Sequence, residues 1–146
     1  MSHLYSGGCE HIHTWSDQPY LDSHDCHCSI CRGITGKDSL HVTFFKYGDL
    51  QIDHPELLKR QPYNANNPEG HLELCTCSVC GHPILVDDKD RRLRVIAPGL
   101  MGYDEAQMPP KYHAFFDPAA GRPTPDDGRP VYEALRPGFA MPEPAT

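Results

Sequence analysis

Two short stretches carry most of the thiol chemistry of this chain: Cys26-His27-Cys28-Ser29-Ile30-Cys31 and Cys75-Thr76-Cys77-Ser78-Val79-Cys80. Both follow the pattern C-x-C-S-[IV]-C, and together they hold six of the seven cysteines. Two thiolates separated by two residues on a tight turn can reach one tetrahedral zinc ion at ~2.3 Å. After Cys80 comes Gly81, and only glycine takes positive φ without steric cost. Cys77 and Cys80 therefore form half of a metal site. Cys9 and His11, in Gly7-Gly8-Cys9-Glu10-His11, share one face of an extended segment and supply the other half. Cys9, His11, Cys77 and Cys80 make a closed set of the structural zinc type. Cys26, Cys28 and Cys31 offer three thiolates with no obvious fourth ligand, as in catalytic zinc, where water or substrate takes the remaining position. Cys75 shares a strand face with Cys77 and is an alternative ligand, closing one site or replacing His11. His24 and His27 lie near the first cluster, as ligands or as groups supporting them. Iron–sulfur ligation is the competing use of such thiolates.

The elements that must position these residues read as mainly β. In Leu40–Lys46, Leu40, Val42 and Phe44 alternate with His41, Thr43 and Phe45, the period of a strand packed on at least one side. Further strands are expected at 51–53, 57–63, 71–77, 83–87, 93–97 and 112–117. Turn residues in Tyr47-Gly48-Asp49, Asn64–Gly70 and Asp87–Asp90 connect them. A short helical turn opens at Asp104 and stops at Pro109-Pro110. Seven of the last 29 residues are proline, so the chain beyond Pro118 is expected as an extended arm, docked through Val131, Tyr132 and Phe139, with a frayed end.

Composition bounds the rest. A chain of 146 residues allows one domain. With a formal net charge of −7, a surface that tracks nucleic-acid phosphates would work against the overall field, and nucleic acid is not expected as a partner. No apolar run approaches the roughly 20 residues of a membrane span, and the N-terminus lacks the pattern of a secretory signal. The expected location is the cytoplasm, where an odd number of cysteines stays reduced and no disulfide framework forms. Fifteen prolines and twelve glycines leave a modest core that a bound metal would help to hold.

The ordered set Gly-Gly-Cys-x-His at 7–11, Cys-His-Cys-Ser-Ile-Cys-Arg at 26–32 and Cys-Ser-Val-Cys-Gly-His-Pro at 77–83 resembles the glutathione-dependent formaldehyde-activating enzyme family, also called centromere-protein-V-like. Tyr112–Phe116 and Asp127–Tyr132 resemble the end of that domain. The resemblance covers about residues 5–133 and leaves 134–146 as a proline-rich C-terminal tail. It implies a β-tent fold with two zinc ions, one structural at Cys9, His11, Cys77 and Cys80 and one catalytic at Cys26, Cys28 and Cys31. The implied activity is that of a carbon–sulfur lyase, in which glutathione adds to formaldehyde to give S-hydroxymethylglutathione. The family usually has Cys-x-Cys where this chain has Cys9-x-His11, and imidazole is also a competent zinc ligand. Cys75 is extra.

Three thiolates around a dication leave the catalytic site formally anionic, which favours exchange of an incoming thiol over strong activation of water. Glutathione is itself anionic, and Arg32 and Lys37 are the cations expected to receive its carboxylates. Arg91, Arg92 and Arg94 form the densest basic run, read as a solvated strand edge. His27, and more weakly His113, are candidates to move protons. Two alternatives stand beside this reading. The same zinc could act on a larger secondary metabolite in a pocket lined by Phe44, Phe45, Trp15 or Tyr103. The domain could instead be a zinc-stabilised binding module without catalysis, with a protein ligand completing the triplet.

Overall fold

The computed structural model describes residues 3–145. Strands dominate: β1 (Tyr5–Gly8), β2 (His13–Ser16), β3 (Asp22–Cys26), β4 (Leu40–Lys46), β5 (Gln51–Ile52), β6 (Leu58–Pro62), β7 (Leu72–Cys77), β8 (Pro83–Asp88), β9 (Leu93–Ile96) and β10 (His113–Ala114). One helix, α1 (Ser29–Thr35), follows β3. The larger sheet has the order β10-β3-β4-β9-β8-β7-β6, antiparallel except for the parallel pairing of β10 with β3. A second sheet joins β1, β2 and β5.

The alternation along β4 sets the layers. His41, Thr43 and Phe45 face one side, where Tyr5 of β1 meets Phe45 edge-on at 5.7 Å and the small sheet covers the core. Phe45, Ile12, Leu50 and Met108 are fully buried. Leu40, Val42 and Phe44 face the other side. There the register aligns Phe44 with Val95, Val95 with Val86 and Val86 with Leu74, an apolar row across four strands. This row floors a cavity of about 620 Å³.

Most strands fall where the apolar alternation places them, but β1, β2, β3 and α1 carry no such pattern. β3 reads Asp-Ser-His-Asp-Cys and is nevertheless almost wholly buried, because its polar groups find partners inside. Ser23 Oγ lies 2.9 Å from His41 Nε2 and 3.0 Å from Thr43 Oγ1. Asp22 accepts from Tyr112 Oη at 2.6 Å and from Arg136 Nε at 3.2 Å. The basic run is not an edge: β9 lies between β4 and β8, Arg94 Nε donates to Asp87 at 3.1 Å, and Arg94 caps the Tyr47 ring at 4.2 Å. The edges are β10 and β6, and the Lys59, Arg60 and Pro62 of β6 are of the kind that discourages pairing with another chain.

The segment after Pro118 docks on this frame. Tyr132 N–H donates to His113 O at 2.9 Å, and Phe139 packs on Phe44 with centroids 5.8 Å apart. The contacts run on to Ala145, whose N–H donates to Arg91 O at 2.7 Å, so the chain is held past the expected Phe139. No helix among the described residues is long and apolar enough to cross a membrane.

Candidate metal centres

Cys9, His11, Cys77 and Cys80 come together, each offering one ligand atom within 4.8 Å of the others. Two local turns make this possible. Gly8, at φ +107°, bends the chain out of β1, and Cys9 N–H closes the turn on Ile12 O at 2.8 Å. Past β7, Gly81 N–H donates to Cys77 O at 2.8 Å with Gly81 at φ +79°, so both thiols of the C-x-x-C point to one side. Val79 N–H points at Cys77 Sγ at 3.4 Å, a contact that suits a thiolate. His11 Nδ1 is buried without a hydrogen-bond partner. Three sulfurs and an imidazole at these separations fit a tetrahedral ion such as zinc.

The triplet Cys26, Cys28 and Cys31 forms a second group within the same span. Cys26 ends β3 and Cys28 caps α1, its sulfur accepting from Cys31 N–H at 3.4 Å. The helix brings Cys31 back over its own cap and ends at Gly36, at φ +69°. Cys26 Sγ lies 3.3 Å from Cys28 Sγ. The Cys26 thiol, then that of Cys31, donates to Cys28 and draws its pKa far down. Cys26 is pushed up correspondingly, because ionising it would forfeit the bond to Cys28. Three convergent cysteine sulfurs suit a soft, thiophilic cation.

Tyr63 was legible only as the end of an apolar β run, yet its hydroxyl lies 3.3 Å from Cys31 Sγ. Burial raises its pKa well above the usual phenol range, so it stays a hydrogen-bond donor. The signal that could have flagged it is its place between a strand and the Asn64–Gly70 turn, and that does not specify a partner. His27 Nε2 lies 2.9 Å from His113 Nδ1, and Arg32 Nε donates to His27 O at 3.2 Å. Lys37 is exposed just past α1. The triplet lines the 620 Å³ cavity, whereas Arg32, Lys37 and the Cys9 group do not. Phe44 also lines it; Phe45, Trp15 and Tyr103 do not.

Cys75 joins neither group. Its thiol is buried 3.7 Å from Arg60 Nη1, and burial pushes its pKa up to about 11. His71, Asp88 and Asp90 make a third group of possible ligands. The Asp88 carboxylate there is already taken by the N–H groups of Asp90, Arg92 and Leu93, and shapes a turn.

Residues 5–118 match the family described as glutathione-dependent formaldehyde-activating enzyme. A crystal structure of a Rhodobacter sphaeroides protein is similar over 86% of this chain and 98% of its own, at 15% identity and a TM-score of 0.45. No curated protein matches. A match over most of the chain, on a β frame that gathers the family's ordered cysteines into two clusters, places the protein: it belongs to the glutathione-dependent formaldehyde-activating enzyme family.

Proposed function

We propose that the chain is a cytoplasmic zinc-dependent carbon–sulfur lyase of the β-tent fold, joining a thiol such as glutathione to a carbonyl such as formaldehyde and reversing that addition. In this reading residues 5–133 are the working domain and 134–146 its proline-rich tail. Cys9, His11, Cys77 and Cys80 hold a structural ion, and Cys26, Cys28 and Cys31 hold the reactive one. The observation that carries the assignment of roles is location: the triplet lies in the cavity wall, and the four-ligand group lies away from it.

Cys26, Cys28 and Cys31 would hold the zinc ion, which would supply a Lewis acid there. In the forward direction the S–H bond breaks and a sulfur–carbon bond forms. The carbonyl π electrons move to oxygen, which takes the proton, and no oxidant is consumed. Tyr63 Oη, 3.3 Å from Cys31 Sγ, is the donor beside the reacting groups. His27 and His113 hold a proton between them one residue from Cys26. Arg32 and Lys37, in and just past α1 and outside the cavity wall, are the cations this reading assigns to the carboxylates of glutathione.

The test is zinc content by elemental analysis of the wild type and of Cys28→Ser, with S-hydroxymethylglutathione followed by NMR from formaldehyde and glutathione. Two ions falling to one, with enzymatic product formation lost in the variant, is the expected result. One ion throughout, or two with no acceleration of the reaction, overturns the reading.

A further inference from the structure

The cavity beside the triplet is far larger than formaldehyde requires. Its volume of about 620 Å³ is that of sites that take molecules on the order of twenty heavy atoms. Leu40, Val42, Phe44, Val95, Val86 and Leu74 floor it, and neither lysine, arginine, aspartate nor glutamate contributes to its lining. Glutathione carries two carboxylates and an ammonium group, and the wall offers those charges no ionic partner among Lys, Arg, Asp and Glu, only polar groups such as Tyr63, Asn64, Asn67 and His71. A formaldehyde molecule leaves nearly all of the apolar surface unfilled.

Two further observations point to an apolar occupant. Of the six large apolar side chains exposed among the described residues, Ile34, Leu100, Phe115 and Met141 also line this cavity, so its apolar lining reaches the surface. Phe115 is held there at φ +56°, a backbone conformation that an aromatic residue rarely takes. Strain and exposure at one aromatic side chain are features of a ligand contact. On the inner wall, His24 is fully buried with Nδ1 3.2 Å from Asp22 Oδ2 and Nε2 without a hydrogen-bond partner. His24 and Cys26 lie on the same face of β3, opposite Val42 and Leu40, so this polar group stands close to the triplet.

We infer that the cavity binds an uncharged, largely hydrocarbon aldehyde, long-chain or aromatic, with its carbonyl end at Cys26, Cys28 and Cys31 and its apolar body along the β4–β9–β8–β7 row. This rests on the carbon–sulfur reading for the carbonyl and goes beyond it in the class of electrophile. The reaction is the same balanced addition: the thiol sulfur bonds to the aldehyde carbon and its proton passes to the aldehyde oxygen. The charged ends of glutathione stay outside the apolar wall.

The test uses the zinc-loaded full chain and fluorescence of the neutral probe N-phenyl-1-naphthylamine, with 1-decanol, decanal, glutathione and formaldehyde as competitors. One saturable site per chain is expected, emptied by decanol and decanal and untouched by equal concentrations of glutathione or formaldehyde. Phe115→Gly suits the left-handed backbone and keeps the fold while removing the aromatic wall; Ile34→Glu places a charge at the mouth. Each weakens probe binding at least tenfold, while Leu4→Glu, an exposed apolar position away from the cavity, leaves it unchanged. Absence of saturable binding, displacement by glutathione, or equal weakening in Leu4→Glu overturns the inference. Because binding is read without turnover, the two readings fail separately. Probe binding that decanal displaces, with no thiol adduct formed from any aldehyde, sinks the carbon–sulfur reading alone. Adduct formation from formaldehyde without a probe site sinks the cavity inference alone.

Discussion

His27 Nε2 stands 2.9 Å from His113 Nδ1, joining the loop between Cys26 and Cys28 to β10. His113 Nε2 lies 2.9 Å from Asp127 Oδ2, and that carboxylate, held well below the usual range first by Arg129, accepts a hydrogen bond from the imidazole N–H. Nδ1 of His113 is then an acceptor, and His27 donates through Nε2. The order of these protons leaves His27 Nδ1 as a buried lone pair without a partner. The cysteine loop is thus anchored by residues from the far end of the chain.

Replacing the acceptor in that chain leaves a buried N–H unpaired. His113→Phe is expected to lower stability by about 1–3 kcal/mol in urea unfolding. It is also expected to expose the 127–132 segment to limited proteolysis, since it removes the His113 side-chain bond to Asp127 and leaves only the backbone bonds to Pro130 and Tyr132. An unchanged digestion pattern would place the strength of the anchor in the backbone bonds alone.

Asp22 gives a pH dependence with a defined sign. Burial works to raise its pKa, but bonds from His24, Tyr112 and Arg136 outweigh burial and lower it. A carboxyl with a folded value below the unfolded value of about 3.9 stabilises the fold above that pH, and the contribution is lost as pH falls through the folded value. Asp22→Asn is expected to cost about 1–3 kcal/mol at pH 7. The gap from the wild type should narrow below pH about 4. Urea unfolding at pH 7 and pH 3 measures both, and a gap of equal size at pH 3 would assign the loss to packing.

Glycines near the Cys9 group differ in what they tolerate. At Gly81, φ +79°, an added Cβ meets no atom within 4 Å, so Gly81→Ala costs only the left-handed backbone, about 1 kcal/mol. For a chain of this size that is a fall in Tm of about 3 °C. Gly7→Ala drives its Cβ into the Tyr103 ring and is expected to cost several times more. Calorimetry on the two variants checks the order.

Tyr63→Phe removes the hydroxyl beside Cys31 and nothing else. A hydrogen bond to a charged group is worth about 1.5–3 kcal/mol, so turnover should fall about 10- to 100-fold. Zinc content should stay at the wild-type value. Loss of an ion together with activity would make Tyr63 a support of the metal site.

The parts that were legible in the sequence are those decided locally. β4 runs from Leu40 to Lys46, the same bounds its alternation gives, because its period-2 pattern is fixed by a strand paired on both edges, to β3 and to β9. The C-x-x-C bite of Cys77 and Cys80 is likewise set by one turn and one glycine. β3 was not legible, since Asp22, Ser23 and His24 become interior residues only through partners at Tyr112, Arg136 and His41. Helix α1 is seven residues with Gly33 inside it and no acidic first turn, so no helical pattern marks it. Cys28 and Gly36 start and stop it. The cavity is a property of register across β4, β9, β8 and β7, and strand pairing over such distances leaves no trace in composition.

The two cysteine groups are nested along the chain. An ion held by His11 and Cys77 would tie a loop that contains the whole of 26–31, so the outer clasp would enclose the inner one. Closing a loop of that length removes about 4 kcal/mol of freedom from the unfolded chain, on the scale of a covalent crosslink. Release is therefore directional: opening the outer clasp frees the tether on which the inner cluster is carried, while emptying the inner cluster leaves the outer knot tied. Stepwise chelation should show a first ion that leaves with the fold intact and a second whose departure and unfolding are one event.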